Sequence, residues 1–155
     1  MRKRLITPPS IPRANWDWLD VGKVALVEIT SEDKKHPIES ALLGDENRGW
    51  RAAEPGAQTI RLLFDKPQRI KRIQLAFEET ETKRTQEFTL RWSQDGGQSY
   101  REIVRQQWNF SPPETNRESE EFQVDLSDVA VMELIIVPDI SGGTARASLK
   151  SLRLS

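Results

Sequence analysis

Few side chains in this 155-residue sequence could do chemistry, and their types favour recognition over reaction. The single histidine, His36, stands in the polar run Glu32-Asp33-Lys34-Lys35-His36-Pro37, and no cysteine is present to act as nucleophile, thiolate ligand or disulfide partner. The sequence contains no Gly-x-Ser-x-Gly elbow, P-loop, dinucleotide glycine fingerprint or His-Glu-x-x-His pair. Glu78-Glu79-Thr80-Glu81-Thr82 is followed by Lys83 and Arg84, the pattern of a solvated hairpin tip whose charges offset one another rather than of an acid–base pair. Catalysis is therefore not expected. Trp108 and Phe110 carry more information, because they interrupt Gln106-Gln107-Trp108-Asn109-Phe110-Ser111-Pro112-Pro113, which reads as part of a polar connection running to about Glu120. Flat apolar rings beside Gln107 and Asn109 suit a sugar ring, whose face can stack while amides bond its hydroxyls. The expected ligand set is Trp108 and Phe110 for stacking, with His36, Glu79, Arg84 and Asn109 for orienting hydrogen bonds. These positions come together on a rim if the loop after Ile29, the Phe77 to Gln86 turn and the Trp108 connection share one end of the fold.

A second chemistry is anion recognition. Arg61, Arg69, Arg72, Arg91, Arg101 and Arg105 fall on strand-like segments and, with aromatic rings, could hold phosphate or single-stranded nucleic acid. Against this, 23 basic residues face 24 acidic ones for a net charge of −1, so no global field steers the chain to a polyanion. Arginine on the outer face of a sheet commonly pairs with Asp or Glu across strands, and nucleic acid is the least favoured partner. Trp16 and Trp18 point to one side of an extended segment and either pack that segment onto the body or offer another stacking surface.

The elements that must position these groups read as strands. Val24 to Ile29, Thr59 to Phe64, Ile70 to Phe77, Glu87 to Trp92, Ser99 to Arg105, Glu121 to Leu126, Val131 to Val137 and Ala147 to Leu154 are short, apolar or β-branched, and bounded by turn residues. Eight strands at this spacing predict an all-β sandwich or barrel. Alternation assigns Ile60, Leu62 and Phe64, then Ile73, Leu75 and Phe77, then Phe88, Leu90 and Trp92 to the core. The continuously apolar Met132 to Val137 predicts a central strand covered on both faces. Helix is confined to a turn or two within Pro37 to Leu43. Prolines at 8, 9 and 12 predict an extended N-terminal arm over 1–20, with the domain proper at 21–155. The basic opening lacks an apolar segment behind it and no apolar run reaches the length of a membrane span, so the expected location is the cytoplasm.

Ser93-Gln94-Asp95-Gly96-Gly97-Gln98-Ser99-Tyr100 sets a hairpin in which Asp95 accepts hydrogen bonds from its own turn and a glycine takes positive φ; it resembles the Asp-box hairpin. The order of Ala41-Leu42-Leu43-Gly44-Asp45, Gly49-Trp50-Arg51-Ala52, Gln58 to Phe64, Pro67 to Ile73, Trp92 to Gly96 and Ala147 to Leu154 resembles the discoidin domain, also called the coagulation-factor type C or galactose-binding-domain-like family. The resemblance covers about 130 residues and implies an eight-stranded antiparallel jelly-roll β-sandwich that binds sugars, phospholipid head groups, proteins or DNA through loops at one end. It also implies that Trp50 plugs that end. Sugar-binding relatives hold calcium there with an Asp, backbone carbonyls and a glutamate on the last strand; here Asp45 and Asn47 would be the ligands, while Lys150-Ser151 occupies the glutamate's place and opposes the ion. The resulting expectation is a non-catalytic binding module without an obligate cofactor, with a saccharide as the first partner and an intracellular protein as the alternative.

Overall fold

The computed structural model describes residues 1–6, 18–43 and 48–155. Two helical turns, α1 (Val21–Val24) and α2 (Glu39–Leu42), accompany eight strands: β1 (Ala25–Ile29), β2 (Trp50–Arg51), β3 (Gln58–Glu78), β4 (Arg84–Ser93), β5 (Arg101–Phe110), β6 (Arg117–Val137), β7 (Ser148–Leu149) and β8 (Ser151–Leu154). Every strand pairing is antiparallel. The first half of β3 and the second half of β6 lie within a five-stranded layer ordered β1-β3-β6-β4-β5, while their other halves pair together again beside β8. The two long strands thus turn a corner and contribute to both layers of the sandwich.

The corner explains why the strand count matched while the boundaries did not. Thr59–Phe64 and Ile70–Phe77, expected as separate strands, are halves of the continuous β3, and the same holds for Glu121–Leu126 and Val131–Val137 in β6. Asp65, Lys66 and Pro67 mark a bend rather than a reversal. Ladder register breaks between Leu63 and Gln68 and twice more before Arg72, so the proline costs no established ladder bond. Across these breaks the buried side chains change from Gln58, Ile60 and Leu62 to Ile73, Leu75 and Phe77. A bulge exchanges the two faces of a strand, which lets β3 keep its apolar side inward after it changes layer. Opposite the bend, Asp128 takes φ 55°.

Eight of the nine expected core residues on these strands are buried, and Phe64 is half-buried against the same cluster. Two losses and gains balance the strand count: the segment Ala147–Leu154 divides at Lys150 into β7 and β8, and β2, too short to show any periodicity, pairs with β7. β5 starts at Arg101 rather than Ser99 and runs to Phe110, five residues past its expected end. Residues 7–17 of the expected arm, Trp16 included, fall outside the described residues, but Trp18 packs its ring 3.9 Å from the Arg72 guanidinium and the Leu19 N–H donates to Leu154 O at 2.6 Å. No helix among the described residues is long and apolar enough to cross a membrane.

The Ser93–Tyr100 hairpin forms as read. Ser93 Oγ accepts from the N–H groups of Asp95 and Gly97, Asp95 Oδ1 accepts from Ser99 N at 2.9 Å, and both Gly96 and Gly97 have positive φ. The Ser93 hydroxyl, followed by the Ser99 hydroxyl and backbone, holds the Asp95 carboxyl well below the usual carboxylate range. The motif closes the β4–β5 connection at the end that also contains the β3 corner and Leu154.

Candidate functional site

At the opposite end lie the close of β1, the end of β3, the start of β4, the end of β5 and both termini of β6. The loops between them form a rim whose backbone is unusually well tied. Trp50 and Arg51 of β2 pair with Leu149 and Ser148 of β7, while Asp33 N donates to Arg51 O and Arg51 N donates to His36 O. Three chain segments are joined in one short ladder. Its close approach depends on Gly49, where φ is 65° and a Cβ would stand 2.6 Å from Leu149 O. Trp50, 1% exposed, seals the sandwich beneath the ladder and donates its indole N–H to Ser31 O at 3.0 Å, so the expected plug is in place.

Over this floor opens a depression of about 120 Å³ lined by His36, Arg48, Trp50, Arg51, Glu78, Thr80, Ser148, Leu149 and Lys150. His36 Nδ1 lies 3.6 Å from Asp33 Oδ2. Lys150 Nζ is 3.8 Å and Arg117 Nη2 is 3.2 Å from Glu78 Oε2. A second depression of about 370 Å³ shares Glu78 and Lys150 with the first and continues past Arg117, Ser119 and Ser151 over the smaller layer.

The structure separates the residues that the sequence suggested as one ligand set. His36 lines the first depression. Arg84, Asn109 and Phe110 border a different one, of about 500 Å³, together with Lys83, Asp139 and Ser141. Trp108 and Phe110, expected on a loop, belong to β5 instead, where alternation sends both rings inward; Phe110 is 1% exposed and Trp108 packs against the core. Asn109, between them, faces outward and accepts the Thr85 hydroxyl at 2.6 Å, so its amide cannot act beside either ring. Glu79 and Arg84 are buried rather than displayed. Arg84 Nε donates to Glu79 Oε1 at 2.7 Å and Nη1 to Pro138 O at 2.7 Å, with the guanidinium 5.0 Å from the Phe110 ring. Burial opposes ionisation of Glu79, but Arg84 and the Glu81 N–H outweigh it and hold the carboxyl below its ordinary value. This cluster closes the sandwich end. Arg48 and Arg51 were not foreseen at the rim; the signal available was Gly49-Trp50-Arg51, whose neighbours could have been carried there with the plug.

The sheet arginines are mostly partnered. Arg61 and Arg91 clasp Glu133, Arg69 meets Asp125, Arg72 meets Glu121 and Arg105 meets Glu102, while Arg101 lies over Trp92. Arg61, Arg69, Arg72 and Arg91 thus pair with carboxylates on neighbouring strands, and Arg105 with Glu102 of its own strand. Asp45 and Asn47 lie outside the described residues, and among the described residues no group of three His, Asp or Glu side chains could hold a metal ion.

Glu118, opposite Phe77 in the ladder, is 3% exposed and neither carboxyl oxygen has a hydrogen-bond partner. Burial, assisted by Glu120, pushes its pKa from 4.5 up to about 7. Because the folded state holds this proton more tightly than the unfolded chain, the contribution is full below pH 4.5 and is lost as pH rises through about 7. Glu118→Gln is expected to match the parent near pH 4 and to exceed it by about 3 kcal/mol above pH 8, read from denaturation midpoints across that range. Equal midpoints at pH 8 would show that the carboxyl finds solvent or a partner.

Among curated proteins no sequence matches the chain. The family 32 carbohydrate-binding module of C. perfringens NanJ, in complex with galactose, superposes with a TM-score of 0.64 at 15% identity, covering 88% of this chain and 96% of that one. The corresponding module of AlyQ, in complex with 4,5-unsaturated mannuronic acid, gives 0.62 at 13% identity over 85% of this chain and 95% of that one. Reduced XRCC1 bound to the catalytic domain of DNA polymerase β gives 0.60 at 16% identity, covering 85% and 94%. At these identities the likeness establishes the fold. The F5/8 type C domain model matches residues 27–123, well over half of the sequence, and the chain belongs to that family.

Proposed function

We propose that this domain is a non-catalytic carbohydrate-binding module whose ligand sits in the rim depression between His36, Arg51, Thr80 and Lys150. The observation that carries the reading is the three-segment ladder beneath that depression: it fixes the backbone of His36, Arg51 and Ser148 before any ligand arrives, and a preorganised polar cleft loses little entropy on binding. Family membership and structural neighbours with bound sugars support it. With Lys150 at the calcium position, binding is proposed to proceed without the ion, and chelator should leave it unchanged.

A glycan array followed by titration calorimetry tests the reading. His36→Ala should weaken saccharide binding about tenfold or more, as expected for loss of a polar anchor in a small site, while Trp108→Ala, an inward-facing substitution, should leave affinity within about twofold at a temperature where it remains folded. Binding lost on Trp108→Ala but retained on His36→Ala would move the site to β5. The second reading, a protein partner, is favoured by one feature, the ten-residue β5 at the edge of the larger layer. Silence across the array with co-purification of one protein would replace the first reading by the second.

A further inference from the structure

We propose that the rim selects acidic sugars, and that its ligand is an oligosaccharide carrying uronate carboxylates along a groove made of both adjoining depressions. The inference rests on the carbohydrate reading and deepens it.

Arg61, Arg69, Arg72 and Arg91 meet carboxylates on neighbouring strands, whereas Arg48 and Arg51, both lining the first depression, have no carboxylate partner among the described residues. Arg48 is exposed and Arg51 half-buried. The acidic side chain that also lines this depression, Glu78, lies within ion-pair distance of Lys150 and Arg117. Among the described residues, the cleft therefore presents two guanidiniums with no carboxylate partner. A guanidinium offers paired N–H donors that fit the two oxygens of a carboxylate, and such charge-assisted pairs are stronger than bonds to a neutral hydroxyl. A neutral hexose would leave these donors with water; a uronate would use them.

The second depression gives the ligand its length. It begins at the Glu78–Lys150 pair that walls the first and runs past Arg117, Glu118, Ser119 and Ser151, so a chain leaving the first depression crosses that pair and meets a further cation, a largely buried carboxyl group and two hydroxyls. Arg117 is largely exposed while its guanidinium lies 3.2 Å from Glu78 Oε2. Recognition by exposed cations also predicts that affinity falls with added salt.

Titration calorimetry with trimannuronate and trigalacturonate, each against its neutral counterpart, mannotriose and galactotriose, tests the proposal. The expected result is an acidic-to-neutral affinity ratio of at least about tenfold at low salt, the worth of one charge-assisted contact, that shrinks in high salt. Arg48→Gln with Arg51→Gln should bring the ratio toward one, and Arg117→Gln should lower the trimer-to-monomer ratio for the uronate. Thermal melts matching the parent keep misfolding out of the comparison. Equal binding of acidic and neutral trimers, or a ratio indifferent to Arg48 and Arg51, overturns the acidic selectivity while leaving carbohydrate binding intact. No binding of either uronate, with a neutral saccharide bound elsewhere on the array, does the same, and no binding of any saccharide removes both readings.

Discussion

Replacing Trp50 by alanine is expected to cost about 3–5 kcal/mol of folding stability, the range for deleting a buried large aromatic. The ring is 1% exposed, its N–H is satisfied by Ser31 O, and it lies directly under the β2–β7 ladder. Removing it leaves a void bounded by backbone that Gly49 has already brought to its closest approach, so the walls have little room to collapse. Since domains of this size are stable by only about 5–15 kcal/mol, the variant should show a large drop in urea midpoint with an unchanged slope. Trp50→Phe keeps most of the packing but leaves the Ser31 carbonyl without its donor, and should lose about 1–3 kcal/mol. A midpoint for the alanine variant near that of the parent would mean that the ring is not the plug of this end.

The second large effect concerns Glu133. It stands at the centre of the larger layer, opposite Arg61 on β3 and Arg91 on β4, and is 1% exposed although it points to the outer face. Arg61 Nε donates to Oε2 and Arg91 Nε to Oε1, each at 2.7 Å, while Arg91 stacks 4.1 Å from the Tyr100 ring. Burial works against ionisation, but the two guanidiniums prevail and the carboxyl titrates below its ordinary value. Glu133→Ala leaves two cations facing each other over a strand with no carboxylate between them. Because both arginines reach solvent, the expected cost is about 3 kcal/mol, the lower part of the range for breaking a buried pair. The sign in pH follows from the depressed value: the carboxylate's contribution is full above the unfolded-chain pKa of 4.5 and is lost as pH falls through the lower folded value. The gap between parent and Glu133→Gln should therefore be widest near neutrality and close in acid. A gap independent of pH would assign the effect to packing.

Glu133 also shows where sequence reading succeeded for an incomplete reason. Met132 to Val137 reads as apolar enough to be covered on both sides, and the strand is central, yet one of its covers is this ion-paired cluster rather than a second hydrophobic layer. The alternating runs of β3 and β4 are legible because burial on one side leaves period-two traces. The corner is not, since Asp65-Lys66-Pro67 has the composition of a turn whether the chain reverses or only bends. The second half of β5 is hidden for a different cause: Gln106, Gln107 and Asn109 are weak strand formers, and only the alternation of Val104, Trp108 and Phe110 betrays the continuation of the strand. From that one error the expected site followed, because aromatic residues on a loop suggest stacking and the same residues on a strand suggest core. His36 kept its place on the rim because its loop was read correctly; Arg51 was overlooked because a two-residue strand leaves no pattern.

The sharing of β3 and β6 between the layers has a consequence for the order of assembly. The β4–β5 hairpin is a local element, able to form as soon as its own turn is made. The remaining pairings join residues far apart along the chain, and each layer requires one half of β6. Neither can close on a ribosome until synthesis has passed Val137, and once both halves dock they commit the two layers together, so a single slow kinetic barrier is expected rather than stepwise accumulation of one layer before the other.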